Sequence, residues 1–141
     1  MIVYAESSGV LAWLLGEPTA DLVRAELASA ERVITSALTA VECARGLSRA
    51  RRQGRIDGTA ELAALRLLDV AESNWDVHRI TDRVLARARA RFPVEPVRTL
   101  DAIHLATAAG LLDAVGQLAM ISFDERVRTN AGGLGLELIP R

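Results

Sequence analysis

The sequence predicts an α/β domain built on a central, mostly parallel sheet with helices on both faces. Three observations carry this. Short apolar runs alternate with longer amphipathic stretches from end to end, which is the order of parallel strands joined by helical crossovers. The 141 residues, half of them apolar and a quarter charged, suit one domain with one core. No internal repeat, low-complexity stretch or linker divides the chain, so residues 1–141 read as a single domain.

Ile2-Val3-Tyr4-Ala5 opens as a buried strand, and Ser7 or Ser8 caps the helix that follows, in which Val10, Leu11, Leu14 and Leu15 keep helical spacing to Gly16. A second helix begins near Pro18 and runs to about Ala30. Arg32-Val33-Ile34 is the next strand, with Thr35 or Ser36 capping a long helix through Leu38, Val41, Ala44 and Leu47 that ends near Gly54. Asp57 to Ala71 pairs with it as an αα-hairpin. Trp75 to Ile80 alternates as a strand, and a helix over Asp82 to Arg91 is stopped by Phe92-Pro93 and the Pro96 loop. Thr99 caps a helix from Leu100 to Ala109 that ends near Gly110. Gln117 to Phe123 is a strand, Asp124 to Ala131 a short helix, and the glycine turn at 132–135 leads into the last strand, Leu136 to Ile139.

Composition removes several chemistries. A lone cysteine, Cys43, excludes an internal disulfide and a cysteine-clustered zinc site. All 17 basic residues are arginine, so no Walker A loop or lysine Schiff base is available. The uncharged stretches fall short of the ~20 residues of a membrane span, and the N-terminus lacks a basic leader, so a soluble, cytoplasmic protein without membrane contact is expected. The formal net charge is −1, which argues against a general nucleic-acid binder.

The chemistry is carried by acids. In open α/β sheets the ligand crevice lies outside the carboxyl ends of the strands. Glu6 directly follows the first strand and Asp124 the Gln117–Phe123 strand, while Asp101 lies in the first turn of a helix that starts on the same side. Glu42 lies on or beside the apolar face of the third helix, a costly place for a carboxylate unless it is paired or bound to metal. Each has a plainer role available: Asp124 as a helix cap, Asp101 and Glu6 as helix-start charges, Glu42 as a partner of Arg45 or Arg49. All four plainer roles would have to place acids on one rim by coincidence.

These blocks resemble the PIN-domain nucleases, and within them the VapC-type toxins of bacterial toxin–antitoxin pairs. The resemblance covers nearly the whole chain. Ile2-Val3-Tyr4-Ala5-Glu6-Ser7-Ser8 is similar to the family's first strand and acid, and Thr35-Ser36-Ala37-Leu38-Thr39-Ala40-Val41-Glu42 to its second block. The most specific match is Thr99-Leu100-Asp101-Ala102-Ile103-His104-Leu105-Ala106-Thr107-Ala108, and Ile121-Ser122-Phe123-Asp124 matches the last block. The resemblance implies a PIN-like fold and a Mg²⁺- or Mn²⁺-dependent ribonuclease, usually a homodimer, neutralised by a VapB-like antitoxin. Glu6 departs from the pattern, where aspartate is most common; the extra methylene shifts the carboxylate by about one bond length, and a misplacement near ~1 Å can cost on the order of 10²-fold.

The expected roles follow. Glu6 and Asp101 are direct metal ligands, Asp124 binds directly or through water, and Glu42 completes the catalytic set by orienting water or holding a second ion. Ser8 and Ser122 hydrogen-bond the carboxylates. Crowded acids should include at least one with a raised pKa. Arg45, Arg49 and Arg52 share one side of the third helix, and Arg79, Arg83, Arg87 and Arg91 form a second row; Arg45, Arg49, Arg83 and Arg87 are the expected RNA contacts. His104 is expected to be a packed helix histidine within reach of Asp101, Trp13 and Trp75 core or interface residues, and Cys43 a small buried hydrophobe. Two other functions remain open: a weakened scaffold that binds RNA or an antitoxin without cutting, and a PIN nuclease of RNA maturation.

Overall fold

The computed structural model describes Met1 to Arg141 in full. Five strands form one sheet: β1 (Ile2–Ala5), β2 (Arg32–Ser36), β3 (Asp76–His78), β4 (Ala119–Ile121) and β5 (Glu137–Ile139). Seven helices flank it: α1 (Ser7–Leu14), α2 (Ala20–Ser29), α3 (Ala37–Arg52), α4 (Gly58–Asn74), α5 (Asp82–Ala88), α6 (Thr99–Val115) and α7 (Glu125–Gly133). The strand order is β3-β2-β1-β4-β5, and every pairing is parallel. No helix is long and apolar enough to cross a membrane.

Strand periodicity divides the core. Side chains alternate across a strand, so Tyr4, Ile34 and Met120 face one layer, where they pack with Leu105 and Ala108 of α6 and Val127 of α7. Val3 and Ala5 face the other, with Val23 of α2 in one cluster and Val10, Cys43 and Leu68 of α1, α3 and α4 in another. Burial pushes the Cys43 thiol up to about 12, so it behaves as the small hydrophobe expected. Trp13 and Trp75 are half-buried, their rings 6.2 Å apart.

Several element ends differ from the sequence reading. Neither Ser7 nor Ser8 caps α1, because Glu6 holds that position with no side-chain cap bond. Ser36 caps α3 by accepting from Leu38 N, while the Thr35 hydroxyl donates to Ala5 O, stitching β2 to β1, and hydrogen-bonds the Thr39 hydroxyl. The strands β3 and β4 are half or less of the expected lengths, and α5 stops at Ala88 rather than Arg91. Thr99 is the first residue of α6 and not its cap; Arg98 takes the cap position without a side-chain bond. The helix α6 continues through Gly110 to Val115 and stops at Gly116, whose φ of 82° is the left-handed turn glycine permits.

The topology fixes where a site belongs. The chain leaves β1 for β2 and β3 on one side and returns to β4 and β5 on the other, so strand order reverses between β1 and β4. The carboxyl end of that pair is the expected ligand crevice. Glu6 N donates to Ile121 O at 3.1 Å there, continuing the β1–β4 ladder one step past the strands. Gly9 lets α1 lie close on β4, since a Cβ would stand 2.6 Å from Ile121 Cγ2. Arg128 of α7 donates to Ser122 O, Ile139 O and Pro140 O, tying the turn after β4 to the end of β5.

Candidate active site

All four acids singled out in the sequence lie along this rim, in three local arrangements. Glu6 is 4% exposed. Its Oε2 accepts from Ser8 Oγ at 2.5 Å and from Ser122 Oγ at 2.8 Å. The two serines are also held by backbone, Phe123 N donating to Ser8 Oγ and Asp124 N to Ser122 Oγ. No donor of the protein meets Oε1 of Glu6, the oxygen left to an external ligand.

Asp101, in the first turn of α6, and Asp124, at the cap of α7, are joined by one arginine. Arg98 Nε donates to Asp101 Oδ2 and Arg98 Nη2 to Asp124 Oδ2, each at 3.2 Å. Asp124 is also the helix cap of the plainer reading, its Oδ1 accepting from Arg126 N and Val127 N. Burial raises the Asp101 carboxyl above its ordinary value; Arg98 opposes the shift and the charge of Asp124 adds to it.

Glu42 departs from expectation. Its partner is neither Arg45 nor Arg49 but His104: His104 Nε2 lies 2.5 Å from Glu42 Oε1, which also accepts from Ser7 Oγ at 2.7 Å. His104 is fully buried on α6, its Nδ1 2.8 Å from the Tyr4 hydroxyl, and it does not bond Asp101. Burial pushes the Glu42 carboxyl upward, but the hydrogen bonds from His104 and Ser7 outweigh it and hold it below the ordinary value. An ionised carboxylate only accepts, so Nε2 carries a proton toward it. Burial and the charges of Glu6 and Glu42 raise the Tyr4 hydroxyl well above its usual range, so it remains a hydroxyl, hydrogen-bonded to His104 Nδ1.

The rim is therefore continuous, from Tyr4 through His104, Ser7 and Glu42 on one side to Glu6, Ser8, Ser122, Asp124, Arg98 and Asp101 on the other. In this arrangement no three acid, histidine or cysteine side chains stand close enough to hold one ion; hydroxyls bond one oxygen of Glu6 and the Arg98 guanidinium bridges the aspartates. Arg98, Tyr4 and the bond between His104 and Glu42 are absent from the sequence reading.

None of the expected arginine contacts pairs with the four acids. Arg45 and Arg49 are exposed on α3. Arg79, Arg83 and Arg87 line a groove of about 590 Å³ between α5 and α6, floored by Ala106, Ala109 and Gly110. None of these three pairs with a carboxylate; Arg87 donates to Arg91 O and stacks 4.4 Å over Phe92.

With this geometry in view, the sequence pattern of the PIN domain matches residues 3–133. The chain belongs to the PIN-domain family. As a PIN domain it is 36% identical over 137 residues to ribonuclease VapC46 of Mycobacterium tuberculosis, covering 97% of this chain and 95% of that protein. It is 29% identical over 144 residues to ribonuclease VapC35 of the same species, covering 98% and 96%. Among solved structures, the fold is similar to that of the M. tuberculosis toxin VapC20, described as cleaving the sarcin–ricin loop, with a TM-score of 0.62 at 17% identity over 90% of this chain and 93% of that one. FitAB bound to an IR36 DNA fragment is similar at a TM-score of 0.64 and 16% identity, covering 99% and 94%. This PIN domain carries its acids where the sheet reverses direction, on the rim that the topology alone selects.

Proposed function

We propose that this PIN domain is a divalent-metal-dependent endoribonuclease, the toxin of a toxin–antitoxin pair. The observation that carries the reading is the line of four carboxylates, Glu6, Glu42, Asp101 and Asp124, on the carboxyl rim of the sheet at its switch point. The likeness to proteins named as VapC ribonucleases over nearly their whole length supports the substrate class.

The donor set fits a hard cation. Every available ligand is a carboxylate oxygen, which suits Mg²⁺ or Mn²⁺ and disfavours softer metals. Glu6, through its free Oε1, and Asp101, whose charge is incompletely compensated, would hold the ion directly, with Asp124 adding Oδ2. When bound, such an ion would supply positive charge against the phosphate and lower the pKa of the attacking water. Glu42, held by His104 and Ser7, is the carboxylate that would orient that water. Ser8 and Ser122 fix the rotamer of Glu6.

RNA approaches over Arg45 and Arg49 on α3 and along the groove of Arg83 and Arg87, whose charges lack internal partners. The protein acts in the cytoplasm as a homodimer, its contacts using the exposed apolar residues Val41, Leu62 and Val70 of the α3–α4 hairpin, and a VapB-like antitoxin covers the acidic rim. A second reading, a scaffold that binds RNA without cutting, draws on Glu6 in place of the more usual aspartate. Cleavage of RNA by the pure chain decides between them. Activity should require Mg²⁺ or Mn²⁺, stop with EDTA and vanish in Asp101→Asn. Cleavage that persists in excess EDTA refutes the metal mechanism, and a folded parent that binds RNA but never cuts it supports the scaffold.

A further inference from the structure

We propose that Arg98 is a built-in counter-cation of the acidic rim, which a divalent ion must displace, so that this one guanidinium sets how tightly the site holds metal. The inference rests on the metal-dependent reading above.

Its geometry is that of a competitor. Asp124 commits Oδ1 to capping α7 through Arg126 N and Val127 N. Only Oδ2 remains for a cation, and that is the oxygen Arg98 Nη2 holds. Asp101 is engaged in the same way, through Oδ2 alone, by Nε of the same side chain. A metal ion drawing on Asp101 and Asp124 would thus meet a like charge already seated on both.

The contact is built to be released. Both bonds are 3.2 Å long, beyond the ~2.7–2.9 Å usual for charge-assisted pairs. Arg98 is 66% exposed, whereas the acids it bridges are 14% and 27% exposed. Leaving the pair costs a largely solvated side chain little, because solvent screens an exposed ion pair. In contrast, Glu6 and Glu42 draw their donors from serine hydroxyls and a buried imidazole, with no guanidinium on either.

The test titrates the full-length protein with Mn²⁺ by calorimetry, without RNA. Arg98→Gln keeps a polar amide donor on a shorter side chain but removes the charge, and should bind Mn²⁺ about 5–10-fold more tightly than the parent. Its melting temperature without metal should fall, and the rise on adding Mn²⁺ should exceed that of the parent. Arg98→Lys, which keeps the charge, should stay near the parent. Equal or weaker Mn²⁺ binding by Arg98→Gln, with parent-like circular dichroism, overturns the proposal. If the parent binds Mn²⁺ and Asp101→Asn does not, that failure concerns Arg98 alone. If neither parent nor Arg98→Gln binds Mn²⁺ at millimolar concentration, the metal-dependent reading falls and this inference with it.

Discussion

Replacing His104 with leucine tests the buried half of the site, because it removes the hydrogen bonds of a buried imidazole while nearly conserving volume. The parent imidazole touches Glu42 and Ser7 through Nε2 and Tyr4 through Nδ1. Losing the bond to an ionised Glu42 costs about 1.5–3 kcal/mol, and leaving the fully buried Tyr4 hydroxyl unpartnered costs about 1–3 kcal/mol more. The sum, roughly 2.5–6 kcal/mol, is a large share of a typical domain's stability of about 5–15 kcal/mol. Unfolding entropy of about 2.1 cal/mol/K per residue converts each kcal/mol to about 3 °C at this chain length, so thermal melting should drop by about 8–20 °C. In cleavage assays below the melting range, kcat should fall about 10–100-fold with little change in KM, since Glu42 is misplaced and the RNA-binding surface is untouched.

Two controls separate this network from ordinary packing. Tyr4→Phe should destabilise the parent by about 1 kcal/mol but stabilise the His104→Leu background, because there it deletes an orphaned hydroxyl. The second control is pH. The folded Glu42 carboxyl lies below its ordinary value of 4.5, so its stabilisation is complete above that value and is lost as pH falls through the folded pKa. The gap in melting temperature between parent and His104→Leu should therefore narrow below about pH 4.5. A gap that does not vary with pH, together with a Tyr4→Phe effect of the same sign in both backgrounds, refutes the reasoning.

Asp101→Asn should raise the melting temperature of the metal-free protein at neutral pH: a carboxyl raised in the folded state contributes stability at low pH that is lost as pH rises, and the amide removes that loss. Glu6→Gln should abolish cleavage and weaken Mn²⁺ binding, whereas Glu6→Asp should cut at least as fast as the parent; equal rates for Glu6→Gln and parent remove Glu6 from the site. Gly9→Ala should cost about 1–3 kcal/mol in chemical denaturation, because its Cβ would stand 2.6 Å from Ile121 Cγ2 and 3.2 Å from Ile121 O. The double variant Arg83→Gln, Arg87→Gln should weaken RNA binding and reduce the slope of log affinity against log salt by about 1–2, given ~0.7 per phosphate contact on a single strand; an unchanged slope removes the α5 row from the RNA path.

The fold was legible because its signals are local. Ile2 to Ala5 and Val33-Ile34 are apolar on both faces, as central parallel strands must be, and the helices between them carry clear stripes. The errors have physical causes. Gly110 was a plausible helix end, at about 1 kcal/mol relative to alanine, but the buried run Leu105 to Ala108 and Leu111 carries α6 past it, and space beside it is open. Gly116 ends the helix instead, because there the chain takes the positive φ. The edge strand β3 is short since Asp76 and Val77 are exposed and receive no second neighbour.

The acids of the rim were legible for the same reason: a polar residue placed just after a strand sits at the carboxyl edge whatever the distant chain does. Their partners were not. Tyr4 and His104 are 100 positions apart, and only the fold makes them neighbours. The available signal was a mutual need. A tyrosine in the middle of an apolar strand, a histidine within an apolar helix and a glutamate beside a core cysteine each require a buried partner, and one trio satisfies all three. Arg98 has no such signal, because an exposed loop arginine has no debt to settle. The two halves of the rim consequently differ in kind. Glu6 and Glu42 are bonded by serine hydroxyls and a buried imidazole that belong to the packed fold. Asp101 and Asp124 are compensated by a solvated cation, and it is on that side that a metal ion and Arg98 would compete for the same oxygens.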